Sequence, residues 1–422
     1  MFPIGSIGRI RITERLIFVC DFKDNDGKKN AYMKKFVCAL LIMLACMLPF
    51  TALGSDVPDE GLKSATIRSI GDFVIHTEVY ESAKRLTVSE NADDPYDFAP
   101  MLDPVRAIMG NADFTVTNVD GCIEGRDSDK YGYSGYPVFN TPRYLLYALK
   151  ECSVDMLTLA NNHMLDFWLS GLMNTISNVE EANLMHIGAS RTQEERNAPA
   201  IFEVNGIKIG FLNYTKDLNS MDRQPSLDKR AMQFAVHAIK NSDCMADARR
   251  LKGAGADVIV CYMHWGTEYA LNPDQNQKAF AEKLMEAGVD VIIGGHPHVV
   301  QHAEWLSGIN QFGQEQETLC LYSLGNFLSF QRLRYRDGGI IFEFTIQEQA
   351  DGSYRIVDPG YLPTWVWVTG ARDKYEFKVL NIADLIENRP EGMTGQDYQQ
   401  MLQSYEDSIA AMSEGVGKLL TE

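Results

Sequence analysis

The sequence predicts an α/β fold. Short apolar runs alternate with amphipathic stretches along most of the chain, the pattern of strands and covering helices. Most runs are continuously apolar, as strands buried on both faces are. Polar, metal-competent residues follow those runs again and again, where an open α/β sheet binds its ligands.

Taken in order, candidate strands cover residues 66–70, 114–117, 156–160, 208–213, 258–262, 289–293 and 319–323. Candidate helices lie near 142–151, 171–182, 242–252 and 274–287. The last starts after Pro273, carries Phe280, Leu284 and Ala287 on one face, and stops at Gly288, a common helix terminator. From Gly338 the texture changes. Residues 340–346 alternate like a strand, Asp351-Gly352 marks a hairpin turn, and 396–420 reads as an amphipathic terminal helix. Trp365 and Trp367 read as strand residues capping the sheet, with an aromatic platform for a sugar or polymer as the alternative.

Composition narrows the function. The chain has 422 residues, 45% hydrophobic and 23% charged, which excludes collagen, a long disordered polymer and a polytopic membrane protein. Acidic residues outnumber basic ones 57 to 39, for a net charge of -18. That charge repels phosphate backbones and argues against a nucleic-acid partner.

Residues 33–54 carry Lys34 and Lys35, then an apolar run over 36–50, then Ala52-Leu53-Gly54. The run is short for a spanning helix, which needs about 20 residues. It reads as a secretory signal cut after Gly54, with a retained membrane anchor as the alternative. An exported, extracytoplasmic or envelope-associated protein is the expectation. Removing 1–54 takes away eight basic and four acidic residues and brings the net charge to -22. Five cysteines remain beyond the leader, with no CxxC pair, so no disulfide framework is indicated.

The chemistry collects at strand ends. The first run leads into Gly71-Asp72, with His76 nearby. The second leads into Asn118-Val119-Asp120-Gly121, and the third into Asn161-Asn162-His163 with Asp166. Later runs end in His264-Trp265-Gly266 with Glu268, in His296-Pro297-His298, and in Gly325-Asn326. Four of the eight histidines fall at these ends. Singly, each has a bland reading: Gly-Asp is ordinarily a turn, and a histidine beside a tryptophan can be core. His296-Pro297-His298 is the most specific, because proline restricts where the two imidazoles point. Together they predict one crevice rich in nitrogen and oxygen donors. That donor set suits Mn, Fe, Zn or Mg. Their number suggests two divalent ions about 3.5–4 Å apart.

These motifs, in this order, resemble the capsule-synthesis protein CapA family, linked to poly-γ-glutamate. Gly71-Asp72, Asn118-Val119-Asp120-Gly121, the stretch 159–166, His264-Trp265-Gly266 with Glu268, His296-Pro297-His298 with Gln301, and the stretch 322–327 each match a family motif. The resemblance implies a metallophosphatase-like (calcineurin-like) layered sandwich of mixed β-sheets flanked by helices. With the leader and the change of texture after Gly338, the chain divides into a leader (1–54), a CapA-like domain (64–346) and a C-terminal strand and helix extension (347–422). The resemblance also implies metal ligation by Asp72, Asp120, Asn162, His264, His296 and His298. It makes His163 the leaving-group acid, with Asp166 as its carboxylate. Asn118, Glu268 and Asn326 are the substrate-binding candidates it carries.

Two departures bear on the ion count. Asp120 stands where the family has glutamate, one methylene longer. The Asp-x-His opening of ordinary metallophosphatases is absent, since His76 lies four residues after Asp72. One or two ions are therefore the expectation.

The functional expectation is a metal-dependent hydrolase of phosphoesterase type in capsule or envelope-polymer synthesis. Its substrate would be an anionic polymer or a phosphorylated compound, and its partners membrane-bound capsule-synthesis proteins. The alternative is a non-enzymatic factor that binds polymer or assembles a membrane complex. An acidic protein meets a polyanion only through a local positive zone. Arg332, Arg334 and Arg336 supply a candidate, since alternate spacing on an extended segment would point all three one way.

Overall fold

The computed structural model describes residues 61–86, 96–124, 132–372, 374–413 and 416–420. The leader expected at 1–54 lies outside them. In chain order the strands are β1 (Ser64–Phe73), β2 (Phe114–Val119), β3 (Met156–Thr158), β4 (Met185–Ile187), β5 (Ile201–Val204), β6 (Ile207–Thr215), β7 (Val258–His264), β8 (Val291–Gly295), β9 (Val300–Ile309), β10 (Glu315–Leu324), β11 (Asn326–Leu328), β12 (Gly338–Glu348), β13 (Tyr354–Thr369), β14 (Glu376–Asn381) and β15 (Lys418–Leu419). The longer helices are α1 (Thr77–Leu86), α2 (Tyr144–Glu151), α3 (Trp168–Glu181), α4 (Cys244–Gly253), α5 (Gln275–Glu286) and α6 (Gly395–Met412).

Two mixed sheets form. The first runs β14-β13-β12-β1-β2-β3-β4, with β11 on β1 and β15 on β13. The second runs β5-β6-β7-β8-β10-β9. Strands β1 to β4 are parallel neighbours, as are β6, β7, β8 and β10. Their carboxyl ends carry the motif residues.

Side-chain alternation explains the layers. In β7, Val258, Val260 and Tyr262 point to one face and meet Phe114, Val116 and Phe344 of the first sheet. Ile259, Cys261 and Met263 point to the other and pack on Ala248 and Leu251 of α4 and Ala281 and Leu284 of α5. The outer face of the first sheet buries Ile70, Phe73 and Leu157 beneath Leu145, Leu149, Leu172 and Ile176 of α2 and α3. The result is helix, sheet, sheet, helix, the layered sandwich of mixed sheets that the family resemblance implies. Both faces of β7 and β8 are covered, so their sequences have no polar side.

Local signals set the helix ends. Asp274 and Gln277 form a reciprocal capping box at the start of α5, and Gly288 (φ 86) ends it. Asp243 caps α4 by accepting from the Met245 and Ala246 amides.

The terminal helix expected over 396–420 stops at Met412. Gly417 (φ 98) turns the chain, and Lys418–Leu419 pairs with Gly360 and Tyr361 of β13. The boundary placed at 346 falls inside β12. Strands β13 and β14 continue the same sheet across the expected boundary. The hairpin turn at Asp351-Gly352 joins β12 to β13, held by the Gln349 amide donating to the Ser353 carbonyl. Trp365 is wholly buried and donates Nε1–H to Asp337 at 2.8 Å, a core residue with no platform face. Among the described residues no helix is long and apolar enough to cross a membrane.

Candidate metal centre

Strand register brings the donors together. In the first sheet Phe73 pairs with Val119, which sets Asp72 beside Asn118. Asp72 itself pairs with Asn326 of β11. The register shifts between Asp72 and Phe73, an irregularity that re-aims a side chain at a sheet end. In the second sheet His264 pairs with Gly295, one residue before His296. His296 (φ 91) and His298 (φ 57) both hold left-handed backbone, strained for residues with a Cβ. The strain turns both imidazoles toward the first sheet.

The six ligand candidates meet. His264 Nε2 lies 2.8 Å from Asn162 Oδ1, 3.1 Å from His296 Nδ1 and 3.6 Å from Asp120 Oδ1. His298 lies 3.7 Å from Asp72 Oδ2 through Nδ1 and 3.8 Å from Asp120 Oδ2 through Nε2. The shorter reach of Asp120 is therefore no bar to joining the cluster. Glu268, exposed in the loop after β7, has a carboxylate oxygen within 4.8 Å of both His296 and His298 nitrogens.

Burial dominates the electrostatics. It lifts the Asp72 carboxyl to about 6 against restraining hydrogen bonds from the His296 amide and the Asn118 side chain. Burial, then the charge of Asp72, lifts Asp120 to about 8. Burial and neighbouring imidazoles push His264 well below its ordinary value and His296 to about 3. Burial takes His298 to about 4, against the opposing pull of Glu268 and Asn326. Neutral imidazoles and acids that resist ionising share one buried space. One atom, Asp120 Oδ2, is buried with no hydrogen-bond partner, which is costly unless a positive centre answers it. Neutral ring nitrogens, an amide oxygen and carboxylates converging on one point are the donors a divalent cation takes. The residues fit one.

Beside the cluster, His163 Nδ1 lies 2.8 Å from Asp166 Oδ2, which also accepts the Phe139 amide at 2.8 Å. The Phe139 ring meets the imidazole edge-on, centroids 4.8 Å apart. Burial depresses the His163 pKa, but the Asp166 bond and charge, with Asp120 and Glu268, outweigh it and leave the group raised. It is the one imidazole of the site held toward its cationic form.

Other expected roles change. Asn118 Nδ2 donates to Asp72 Oδ1 and Asp120 Oδ1, each at 2.9 Å, so it ties the two carboxylates together instead of facing a substrate. Asn326 is wholly buried; its Oδ1 lies 3.0 Å from His298 Nδ1 and its Nδ2 donates to the Arg336 carbonyl. It orients His298.

The three arginines do not share a face, because residues 333–337 turn instead of extending. Arg332 donates to the Val366 carbonyl at 2.7 Å and sits over Trp365. Arg334 pairs with Asp407 of α6. Arg336 lies over Tyr269 beside the histidines. His76 stays outside the cluster, with Nδ1 near the Val74 carbonyl and the Phe330 amide.

Sequence reasoning missed Asn219, Lys216, Phe139 and Tyr269. Asn219 Oδ1 accepts from Asn162 Nδ2 at 3.1 Å, and its Nδ2 lies 3.3 Å from His163 Nδ1. Lys216 follows β6, donates to the Gly266 carbonyl and adds positive charge near His296. Only Tyr269 had a usable signal, its place next to Glu268.

A layered α/β sandwich with these donors gathered at its strand ends defines an α/β protein with a candidate metal centre. Within that class, the chain belongs to the bacterial capsule synthesis protein family PGA_cap, whose model matches residues 66–331. It is 25% identical over 328 residues to the capsule biosynthesis protein CapA of Bacillus anthracis, covering 77% of this chain and 74% of that one. It is 24% identical over 339 residues to the PGA biosynthesis protein CapA of Bacillus subtilis (strain 168), covering 78% and 81%. Among solved structures, the Haemophilus influenzae NAD nucleotidase aligns at 13% identity and TM-score 0.39, over 85% of this chain and 64% of that one. A likeness this loose says nothing of activity.

Proposed function

We propose that this protein is an exported, metal-dependent hydrolase of phosphoesterase type serving polyglutamate capsule or envelope-polymer synthesis. The observation that carries the reading is the unpartnered, buried Asp120 Oδ2 among convergent donors, next to a histidine held toward its cationic form. Asp72, Asp120, Asn162, His264, His296 and His298 would hold one or two divalent ions. A cation there supplies electrostatic stabilisation to an oxygen gaining negative charge.

The chain's own groups do the rest. Asp166 occupies His163 Nδ1, so Nε2 is the atom left to deliver a proton. As the bond from water oxygen to phosphorus forms, the bond to the leaving oxygen breaks, and Nε2 protonates that oxygen. Asn219 braces Asn162 by accepting from its Nδ2. Export through residues 33–54 belongs to the same proposal.

A panel of aryl phosphates with added Mn or Zn tests the reading. Turnover should be lost with chelator and in Asn162→Ala, and should fall about 10²–10⁴-fold in His163→Ala. Turnover indifferent to chelator would overturn it. Stoichiometric metal uptake with no turnover of any phosphate or acyl substrate would favour the polymer-binding or assembly factor.

A further inference from the structure

Most cations around the metal centre are already engaged. Arg332 is held by the Val366 carbonyl and Arg334 by Asp407. The Lys216 ammonium donates to the Gly266 carbonyl. Arg336 differs. Its guanidinium carbon lies 3.3 Å from the centroid of the Tyr269 ring, and its N–H groups have no carboxylate or carbonyl partner among the described residues. A guanidinium laid flat on a ring keeps its N–H edge free for the bidentate grip of a planar anion.

The placement is fixed from two sides. The Tyr269 amide donates to the Pro297 carbonyl at 2.7 Å, between the two histidines, and the Tyr269 ring lies 6.2 Å from that of His298. The Arg336 carbonyl accepts from Asn326 Nδ2 at 2.9 Å, and Asn326 Oδ1 holds His298 Nδ1. One buried amide therefore positions a ligand candidate and this arginine together. The Tyr269 ring lies 3.3 Å from the guanidinium carbon and 6.2 Å from the His298 ring. A guanidinium so placed suits a second anionic group, apart from the one among the imidazoles.

We propose that Arg336, seated on Tyr269 at the mouth of the metal centre, is a specificity-determining residue that grips a carboxylate of a carboxylate-bearing chain whose reacting group lies among the histidines. The inference rests on the reading of the site given above. In a chain of net charge -18, long-range electrostatics oppose such a substrate. The grip is therefore local, and salt weakens it.

The test is calorimetric binding of a short oligoglutamate, and separately of tripolyphosphate, to metal-loaded protein. Arg336→Gln should take up metal as wild type does and bind oligoglutamate about tenfold more weakly, the effect of losing one charge-assisted pair. Arg336→Lys, which keeps the charge without the fork, should lose about threefold. Tripolyphosphate binding should change by less than about twofold in both, because phosphate contacts belong to the metal centre.

The proposal is overturned if wild type does not bind oligoglutamate. It is also overturned if Arg336→Gln binds it unchanged, or if both anions lose affinity equally. Oligoglutamate binding that depends on Arg336, with no turnover of any substrate, would overturn the hydrolase reading and leave this one standing. Turnover with Arg336-independent binding would do the reverse.

Discussion

Asp120 shows how much one side chain decides. Asn118 spans it and Asp72 with a single amide nitrogen, holding two carboxylates closer than their charges favour. Asn118→Ala removes that donor from both and should weaken divalent-metal affinity about 10–100-fold, the usual cost of losing a group that orients ligands. Calorimetric titration of metal into the stripped variant checks it.

The pH behaviour of the metal-free protein follows from the same carboxylate. Asp120 ionises near 8 when folded against 3.8 ordinarily, so the folded state holds its proton longer. The buried imidazoles of His264, His296 and His298, neutral when folded but half protonated at 6.5 when unfolded, pull the other way near 6.5 and fade as pH rises beyond about 7.5. His163, raised when folded, acts in the same direction as Asp120. Stability should therefore fall as pH rises from about 7.5 through 8, where the Asp120 contribution dominates. Melting curves in chelator should show that fall, and Asp120→Asn should flatten it; an equal slope in the variant would contradict the assignment.

At this scale residue types were legible in the sequence, but the roles of Asn118 and Asn326 were not. Asn118 and Asn326 read as substrate groups because the distances that make them braces come from strand pairing.

Elements decide where those residues meet. Seven of the parallel strands were legible because both their faces are buried, which leaves continuous apolar runs such as 258–262, whereas the three-residue β4 was not. Nor was strand β9: past Ala303 its faces alternate between partly covered and exposed, and its mixed sequence offers no continuous apolar run. The arginine segment was misread because alternation implies a strand only where the backbone extends, and Tyr335 (φ 72) breaks it.

Glycines make the close approaches. A Cβ on Gly295 would stand 2.8 Å from Asp72 Oδ1, and one on Gly71 would stand 2.6 Å from the Gly325 carbonyl. Gly295→Ala should displace the Asp72 carboxylate and lower metal uptake at least about tenfold while the chain still folds. Metal content together with far-ultraviolet circular dichroism would show it. Uptake equal to wild type would mean that Asp72 is not a ligand.

The whole molecule is a device for bringing two sheet ends to one point. Asp72, Asp120 and Asn162 come from the first sheet; His264, His296 and His298 come from the second. Each sheet alone carries an incomplete donor set. The pairing was legible as a bet that polar residues at many strand ends share a crevice, and the layering as an implication of family motifs. The C-terminal strands were harder to place, because 354–381 carries no motif and joins the first sheet only through β12. A cation binding the folded state alone adds stability, about 2.7 kcal/mol at a hundredfold excess over its dissociation constant.

The most direct measurement is calorimetric titration of Mn or Zn into metal-stripped protein, wild type against the His296→Ala, His298→Ala double variant. Wild type should take up at least one equivalent and the double variant none. Wild type without stoichiometric uptake, or a double variant that binds as tightly, would contradict the account.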